Sequence, residues 1–94
     1  MKKVIVLLGV LSLGCGDSRE TKLQRFLLQS NDLVKNQKES QAEYYLKEAL
    51  KLDSCFADAW NNLGTIYFNR QKYSLALEHY NKALACRPGY LDAY

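Results

Sequence analysis

Residues that commonly carry enzyme chemistry are scarce in this sequence. It has one histidine, His79, and three cysteines, none of which form a Cys-x-x-Cys pair. Metal sites need several His, Cys or carboxylate ligands at suitable spacing, and a Ser-His-Asp relay needs a motif that is absent here. We therefore predict no catalytic residue, no metal and no cofactor, and we interpret His79 as a residue that packs at the surface or at the edge of a groove.

The chain also has little excess of positive over negative charge. The formal net charge is +3, and without Lys2 and Lys3 the remaining 11 basic side chains face 10 acidic ones. The basic side chains are scattered and usually lie near acids, as Glu43 and Lys47 do, which is typical of solvated helix faces. We therefore expect neither a nucleic acid nor a small-molecule substrate as a partner.

The main apolar run, Val4–Leu13, is too short for a membrane span. A span takes about 20 apolar residues, whereas this run has ten and is interrupted by Gly9. It follows Met1-Lys2-Lys3 and precedes a polar stretch at residues 16–20. This order of a positive start, an apolar run and a polar stretch is typical of a secretory signal.

The segment LSLGCG at residues 11–16 resembles a bacterial lipoprotein signal, in which the cysteine is lipidated and becomes the new N-terminus. The resemblance implies a signal peptide at residues 1–14, a lipid on Cys15, and a tether over residues 15–21. It predicts anchoring to a membrane of the bacterial envelope on its extracytoplasmic side. Ser12 and Gly14 also fit the cleavage rule of a secreted protein, so plain secretion stays open, as does an uncut apolar segment within a cytosolic core.

A pattern recurs at an offset of 34 residues. The stretch FADAW at residues 56–60 and the stretch YLDAY at residues 90–94 have the same order of aromatic, aliphatic, Asp, Ala and aromatic residues. Between them, Trp60, Leu63 and Tyr67 recur at three and four residues, which predicts one buried face of a helix from about 57 to 70. A second set with the same spacing predicts a helix from about 72 to 86: Ala76, Tyr80, Ala83 and Leu84. Pro88-Gly89 then ends the hairpin.

This pattern resembles the tetratricopeptide repeat, whose unit reads W-x2-L-G-x2-Y, then A-x3-F and a closing Pro. Every position is filled, with only Tyr80 in place of Phe. The resemblance implies an all-α fold in which antiparallel helix-turn-helix repeats stack as a short right-handed α-solenoid, preceded by an N-terminal signal segment. It assigns a degenerate first repeat to residues 22–56, a second repeat to residues 57–90, and the start of a truncated third repeat to residues 91–94.

Four local expectations follow from this register. The first repeat should have helices near residues 21–36 and 39–52, with Thr21-x2-Gln24 as a capping box. Gln37 and Gln71 stand in the tight turns where the family usually has glycine, and a left-handed conformation there costs about 1 kcal/mol. Seven aromatic residues are expected to pack in the core and between repeats rather than to form a ligand platform: Tyr44, Tyr45, Tyr67, Phe68, Tyr73, Tyr80 and Tyr90. Two repeats and a stub leave the last helix poorly covered, which predicts low stability or self-association.

If Cys15 is lipidated, two thiols remain, those of Cys55 and Cys86, and the predicted compartment is oxidising. Antiparallel helices bring them toward each other, so a bridge is one possibility. Cys86 also takes the position of Leu52 in the first repeat, where an apolar residue packs toward the next unit. On that ground we expect buried free thiols.

The resemblance also implies a site. In this family the remaining face of each hairpin's first helix lines a concave groove that holds peptides. Two residues there, Leu27 and Val34, are apolar, and the candidate polar and aromatic residues are Asn31, Lys35, Asn61, Asn62, Thr65, Phe68 and Asn69. The predicted function is a non-enzymatic scaffold that is anchored outside the cytoplasm and binds a protein or peptide. The alternatives are an accessory repeat module of a larger exported enzyme and a structural component of envelope assembly.

Overall fold

A computed structural model of the chain describes residues 18–89. Within that range it has four α-helices and no β-strand. The helices are α1 (Arg19–Lys35), α2 (Glu39–Leu52), α3 (Ala57–Asn69) and α4 (Tyr73–Cys86). Their bounds lie within two residues of the predicted ones, so the all-α prediction is confirmed. The predicted signal peptide, Cys15 and the predicted start of a third repeat lie outside the described residues.

The helices form two hairpins in contact. α1 packs along α2, α3 packs along α4, and α3 also contacts α2, which joins the hairpins. This is the stacked arrangement expected of helical repeats, while the right-handed twist of the stack stays a prediction. None of the four helices is long and apolar enough to cross a membrane.

Small residues let the helices of each hairpin approach closely. Ala42 and Ala49 of α2, and Ala76 and Ala83 of α4, are each at most 1% exposed. Gly64 of α3 meets the ring of Tyr80, because a Cβ atom built on Gly64 would lie 2.7 Å from the ring atoms Cδ1 and Cε1. Real Cβ atoms do not approach so closely, so Tyr80 can lie against α3 only where residue 64 has no side chain.

The first helix begins earlier than predicted. Ser18 caps α1 by accepting a hydrogen bond at its Oγ from the backbone N–H of Thr21 at 3.2 Å. The proposed capping box at Thr21 is therefore wrong, because Thr21 already lies in the first turn. A serine at this position satisfies one of the free N–H groups that every helix start leaves. Three residues of the predicted tether belong to α1.

Both hairpin turns place a glutamine in the left-handed conformation whose cost was considered above. Gln37 has φ of 62° and Gln71 has φ of 63°. In the first turn, the N–H of Lys38 donates to the carbonyl of Leu33 at 2.7 Å, and the second turn repeats this bond 34 residues later. These bonds are those of a Schellman motif. They hold a conformation that a non-glycine residue adopts only at a cost.

Candidate interaction groove between the first and third helices

A cavity of about 300 Å³ lies between α1 and α3. Its apolar part is formed by Val34 of α1, Leu46 of α2 and Ile66 of α3. Leu46 and Ile66 are at most 1% exposed, so they form a floor rather than a rim. An apolar floor with a few polar groups around it is the usual composition of a binding site. The cavity therefore fits an apolar side chain of a bound peptide.

Asparagine side chains supply much of the polar rim. Asn62 of α3 donates from Nδ2 to Oδ1 of Asn31 on α1 at 3.2 Å, which links the two hairpins across the groove. Asn69 donates from Nδ2 to Glu39 Oε2 at 3.3 Å. A primary amide has two N–H donors and a carbonyl that accepts two bonds. Each of these amides therefore keeps capacity for hydrogen bonds to a peptide backbone.

The charge of the groove is small and positive. Lys35 is the one charged side chain among the described residues that line the cavity, and it is exposed. The nearby carboxylate of Glu39 is already paired with Asn69 and with Arg70, whose Nε lies 3.8 Å from Glu39 Oε1. A neutral or acidic peptide segment therefore suits this surface better than a basic one.

The structure brings together five of the seven polar and aromatic residues predicted for the groove. They line the cavity between α1 and α3: Asn31, Lys35, Asn62, Thr65 and Asn69. Asn61 does not line it; its side chain is 5% exposed, donates to Asn62 Oδ1 at 3.5 Å, and has its own Oδ1 unpaired among the described residues. Phe68 lies in a different depression, with Tyr73. A role of the five residues in binding stays a prediction.

Sequence reasoning missed the base of the groove. Ser30 and Ile66 lie one position from the predicted Asn31 and Thr65, and both line the cavity. Helical spacing alone places them on the buried side, which is correct, but the cavity extends inward to reach them. Leu46 is contributed by α2, which the family pattern does not assign to the groove. Only the contact between hairpins reveals it.

A network of polar side chains fixes one hairpin against the other. Glu43 of α2 accepts hydrogen bonds from the Tyr67 hydroxyl at 2.6 Å and from Arg70 Nη1 at 3.0 Å, both at the end of α3. Lys47 Nζ lies 3.1 Å from the same carboxylate. The interpretation of Glu43 as part of a solvated helix face is therefore wrong. Its contacts join α2 of the first hairpin to the end of α3 in the second.

The same contacts shift the acidity of the groups involved. Burial raises the pKa of Glu43, but hydrogen bonds from Tyr67, Arg70 and Lys47 outweigh burial and lower the pKa from the usual 4.5 to about 2. Burial, together with the bond to Glu43, raises the pKa of Tyr67. The hydrogen bond to Glu43 raises the pKa of Lys47. At neutral pH the network thus consists of a carboxylate held by a phenol and two cations.

A disulfide joins Cys55, in the loop before α3, to Cys86 at the end of α4. The expectation of free thiols is wrong. Because α3 and α4 are antiparallel, the residues that flank the open end of their hairpin are neighbours, and the two Cα atoms lie 5.2 Å apart. A salt bridge between Arg87 and Asp58 at 3.4 Å closes the same end.

Aromatic side chains divide between the core and the surface. His79 lies against Trp60 and Tyr67, at centroid distances of 5.4 and 4.8 Å, so its predicted packing role is confirmed. Tyr67 is also buried, at 6% exposure. The packing prediction is wrong for three aromatic residues that are more than half exposed: Tyr44, Phe68 and Tyr73. Tyr90 lies outside the described residues.

Residues 18–89 contain no group of three or more His, Cys, Asp or Glu side chains able to hold a metal ion. The groove residues also lack a nucleophile with an adjacent base. The arrangement offers hydrogen bonds, an apolar floor and one cation, which are the components of a binding surface.

The fold described above is a pair of helical hairpins that pack on each other. Residues 57–90 match the family model described as tetratricopeptide repeat, and this match spans α3 and α4 with their turns. No curated protein matches the chain. The match assigns one tetratricopeptide repeat to residues 57–90, and the all-helical fold agrees with it; such repeats generally bind proteins or peptides and are typically non-catalytic. This points to a module for protein–protein interaction.

Proposed function

We propose that this chain is a non-enzymatic scaffold, lipid-anchored through Cys15 outside the cytoplasm, that holds a protein or peptide in the groove between α1 and α3. The observation that carries the proposal is the cavity of about 300 Å³ with a buried apolar floor and an amide-rich rim. Its ligand is an extended segment that places one apolar side chain on Leu46 and Ile66. Backbone groups of that segment bond to Asn31, Asn62 and Asn69.

The proposed location is supported by two independent features. The LSLGCG segment places a small residue before Cys15, as lipoprotein signals do. The disulfide between Cys55 and Cys86 suits an oxidising compartment, since cytosolic thiols are generally kept reduced. With lipidation at Cys15 and α1 beginning at Arg19, only residues 16 to 18 separate the anchor from the helix. The scaffold would then sit close to the membrane surface.

Site-specific photo-crosslinking in cells tests the groove. A photoreactive amino acid at Asn69, on the rim, is expected to give discrete adducts with a partner. The same group at Gln41, an exposed residue of α2 that does not line the cavity, is the control and is expected to give none. Adding Asn62→Leu should remove the adducts while leaving the helical circular dichroism unchanged. Equal labelling from both positions, or none from position 69, would overturn the groove.

The anchor is tested separately. Growth with an alkyne-bearing fatty acid should label the wild-type chain, and Cys15→Ser should abolish both the label and the membrane fraction. A labelled Cys15→Ser chain would refute lipidation at this residue. That result would leave the groove proposal standing, because the two experiments report on different residues.

A further inference from the structure

The outer side of α4 carries an uncharged apolar strip. Tyr73 and Leu77 are 57% and 61% exposed, and Tyr80 and Leu84 are half-buried. Phe68 of α3 is 53% exposed and stands beside Tyr73, with ring centroids 5.2 Å apart. A depression of about 210 Å³ on this side is lined by Phe68, Tyr73, Ala76, Leu77 and Tyr80. Soluble proteins seldom leave such a continuous apolar surface without a partner.

The spacing along this strip is that of a helix-pairing seam. Residues 73, 77, 80 and 84 are separated by four, three and four positions, which is the repeat of a and d positions in a coiled coil. The seam occupies two heptads, from the first turn of α4 to its last. It is therefore suited to a second helix lying along α4.

The same helix positions already form an interface 34 residues earlier. In α2 they are occupied by Glu39, Glu43, Leu46 and Leu50. There α3 covers them, and its Tyr67 and Arg70 pair with the two carboxylates. In α4 these carboxylates are replaced by Tyr73 and Leu77. A partner that covers α4 therefore needs no cation or phenol and is apolar along its own seam.

We propose that a second copy of this chain is that partner, with the two α4 helices packed antiparallel about a two-fold axis between Leu77 and Tyr80. In this register each layer of the seam joins one tyrosine to one leucine, since Tyr73 faces the second copy's Leu84 and Leu77 faces its Tyr80. All layers then have the same volume and none contains a charge. An isologous interface requires such self-complementarity.

An open head-to-tail stack fits the sequence less well. In such a stack, α1 of one copy would pack on α4 of the next copy, just as α3 packs on α2 within one copy. At the positions of Ile66 and Arg70, the first repeat has Asp32 in α1 and Asn36 directly after it. These polar side chains would have to be desolvated against the apolar seam, which costs free energy without a compensating bond. Pairing of two α4 faces avoids that cost.

Sedimentation equilibrium of the chain from residue 16 onward tests the dimer. That segment contains all four helices, the disulfide and every described core residue. A seam of this length buries a small interface, so we expect a dissociation constant between about 10 µM and 1 mM. Leu77→Glu should raise it at least about tenfold, because each copy would bring a carboxylate into the apolar seam.

Leu28→Glu is the matched control. Leu28 on α1 is 65% exposed, close to the 61% of Leu77, and the chemical change is identical. The dissociation constant of this variant should stay within about twofold of the wild type. Equal loss of association in both variants would mean non-specific apolar aggregation and would overturn the proposal.

Two further outcomes decide the case. Tyr73→Gln, at the exposed end of the seam, should weaken the dimer if Leu77→Glu itself fails to fold, as checked by circular dichroism. A wild-type chain that stays monomeric up to about 1 mM would refute self-pairing. It would assign the α4 face to another protein or to residues of the chain beyond Gly89.

Discussion

Where α3 crosses α4, the ring of Tyr80 lies over Gly64, whereas the same two positions of the first hairpin hold Leu46 and Ser30. The second hairpin thus packs a tyrosine ring against a residue that has no side chain, whereas the first has the smaller leucine in place of the tyrosine and a serine in place of the glycine. The crossing of the first hairpin is fully buried, since Ser30 is 1% and Leu46 0% exposed, whereas Tyr80 in the second hairpin is half-buried. The two hairpins therefore share the 34-residue register, but both members of the pair that meets at the crossing differ between them.

The hairpins also differ in how their open ends are closed. The disulfide of the second hairpin joins positions that correspond to Thr21 and Leu52 in the first, so the first hairpin has no covalent link there. The segments of a protein that lack long-range constraints open first. We therefore expect the first hairpin to exchange its amide hydrogens faster than the second.

Removing the disulfide should have the largest effect on the difference in stability and amide exchange between the two hairpins. For a bridge that closes a loop of 31 residues, the chain-entropy model gives a loss of about 3 to 4 kcal/mol. The double variant Cys55→Ala and Cys86→Ala should lose this much in urea unfolding. Amide exchange in α3 and α4 should become as fast as in α1. Wild-type protein treated with a reductant is the control and should behave alike; a loss below about 1 kcal/mol would contradict the prediction.

The contact between the hairpins should depend on Glu43. Because the folded-state pKa of about 2 lies below the usual 4.5, its stabilisation is complete above pH 4.5 and is lost as the pH falls toward 2. Glu43→Gln should cost about 2 kcal/mol at neutral pH and remove this part of the acid dependence. Thermal unfolding of wild type and variant between these pH values measures both effects.

Glu48→Gln is the control for that experiment. Glu48 pairs with Lys51 on the same helix at 2.7 Å, and Lys51 is 73% exposed. Exposed ion pairs of this kind contribute little to stability, because water and salt screen the two charges. If Glu48→Gln and Glu43→Gln destabilise the protein equally, the network between the hairpins does not have the role described here.

Exchanging the crossing pairs should have a smaller effect. Gly64→Ser places a side chain into the ring of Tyr80 and should cost about 1.5 kcal/mol through overpacking. Adding Tyr80→Leu recreates the pair of the first hairpin and should recover part of that loss, which a double-mutant cycle measures. Additive losses would show that the two positions do not act as a pair.

The smallest effect is expected at the turns. Gln37→Gly and Gln71→Gly relieve a left-handed conformation, and each should stabilise the protein by about 0.5 to 1 kcal/mol after the entropy cost of glycine. Chemical denaturation at neutral pH measures the gain. A gain in stability from only one of the two variants would show that only one turn is strained. A loss of stability in both variants would show that neither turn is strained.

The four helices were predictable because their signals are local. Apolar and small residues recur at three and four positions, and Pro88-Gly89 and the two glutamine turns interrupt the pattern. The start of α1 was missed because Ser18 and Thr21 both resemble caps, and the choice between them depends on one hydrogen bond. Five of seven groove candidates line the cavity because they share faces of α1 and α3.

Other features depend on contacts that periodicity does not encode. Asn61 and Asn62 are adjacent and chemically identical, yet only Asn62 lines the cavity. Cys86 occupies a position that is Leu52 in the first repeat, so the pattern favoured a packed thiol, and only antiparallel packing brings Cys55 beside it. The exposure of Tyr73 was likewise missed, because aromatic spacing does not say whether another helix covers it.

The sequence by itself determined four helices, their pairing into hairpins and the 34-residue register, since these follow from contacts within a turn or between neighbouring helices. Tertiary structure decided the Glu43 network, the disulfide, the depth of the groove and the exposure of Tyr73 and Leu77 on α4. The first three depend on contacts between residues that are 24 to 31 positions apart in the sequence. The last depends on whether another helix packs on α4. Helical periodicity specifies which face of a helix is apolar, but the distance between two faces is set only when the helices pack.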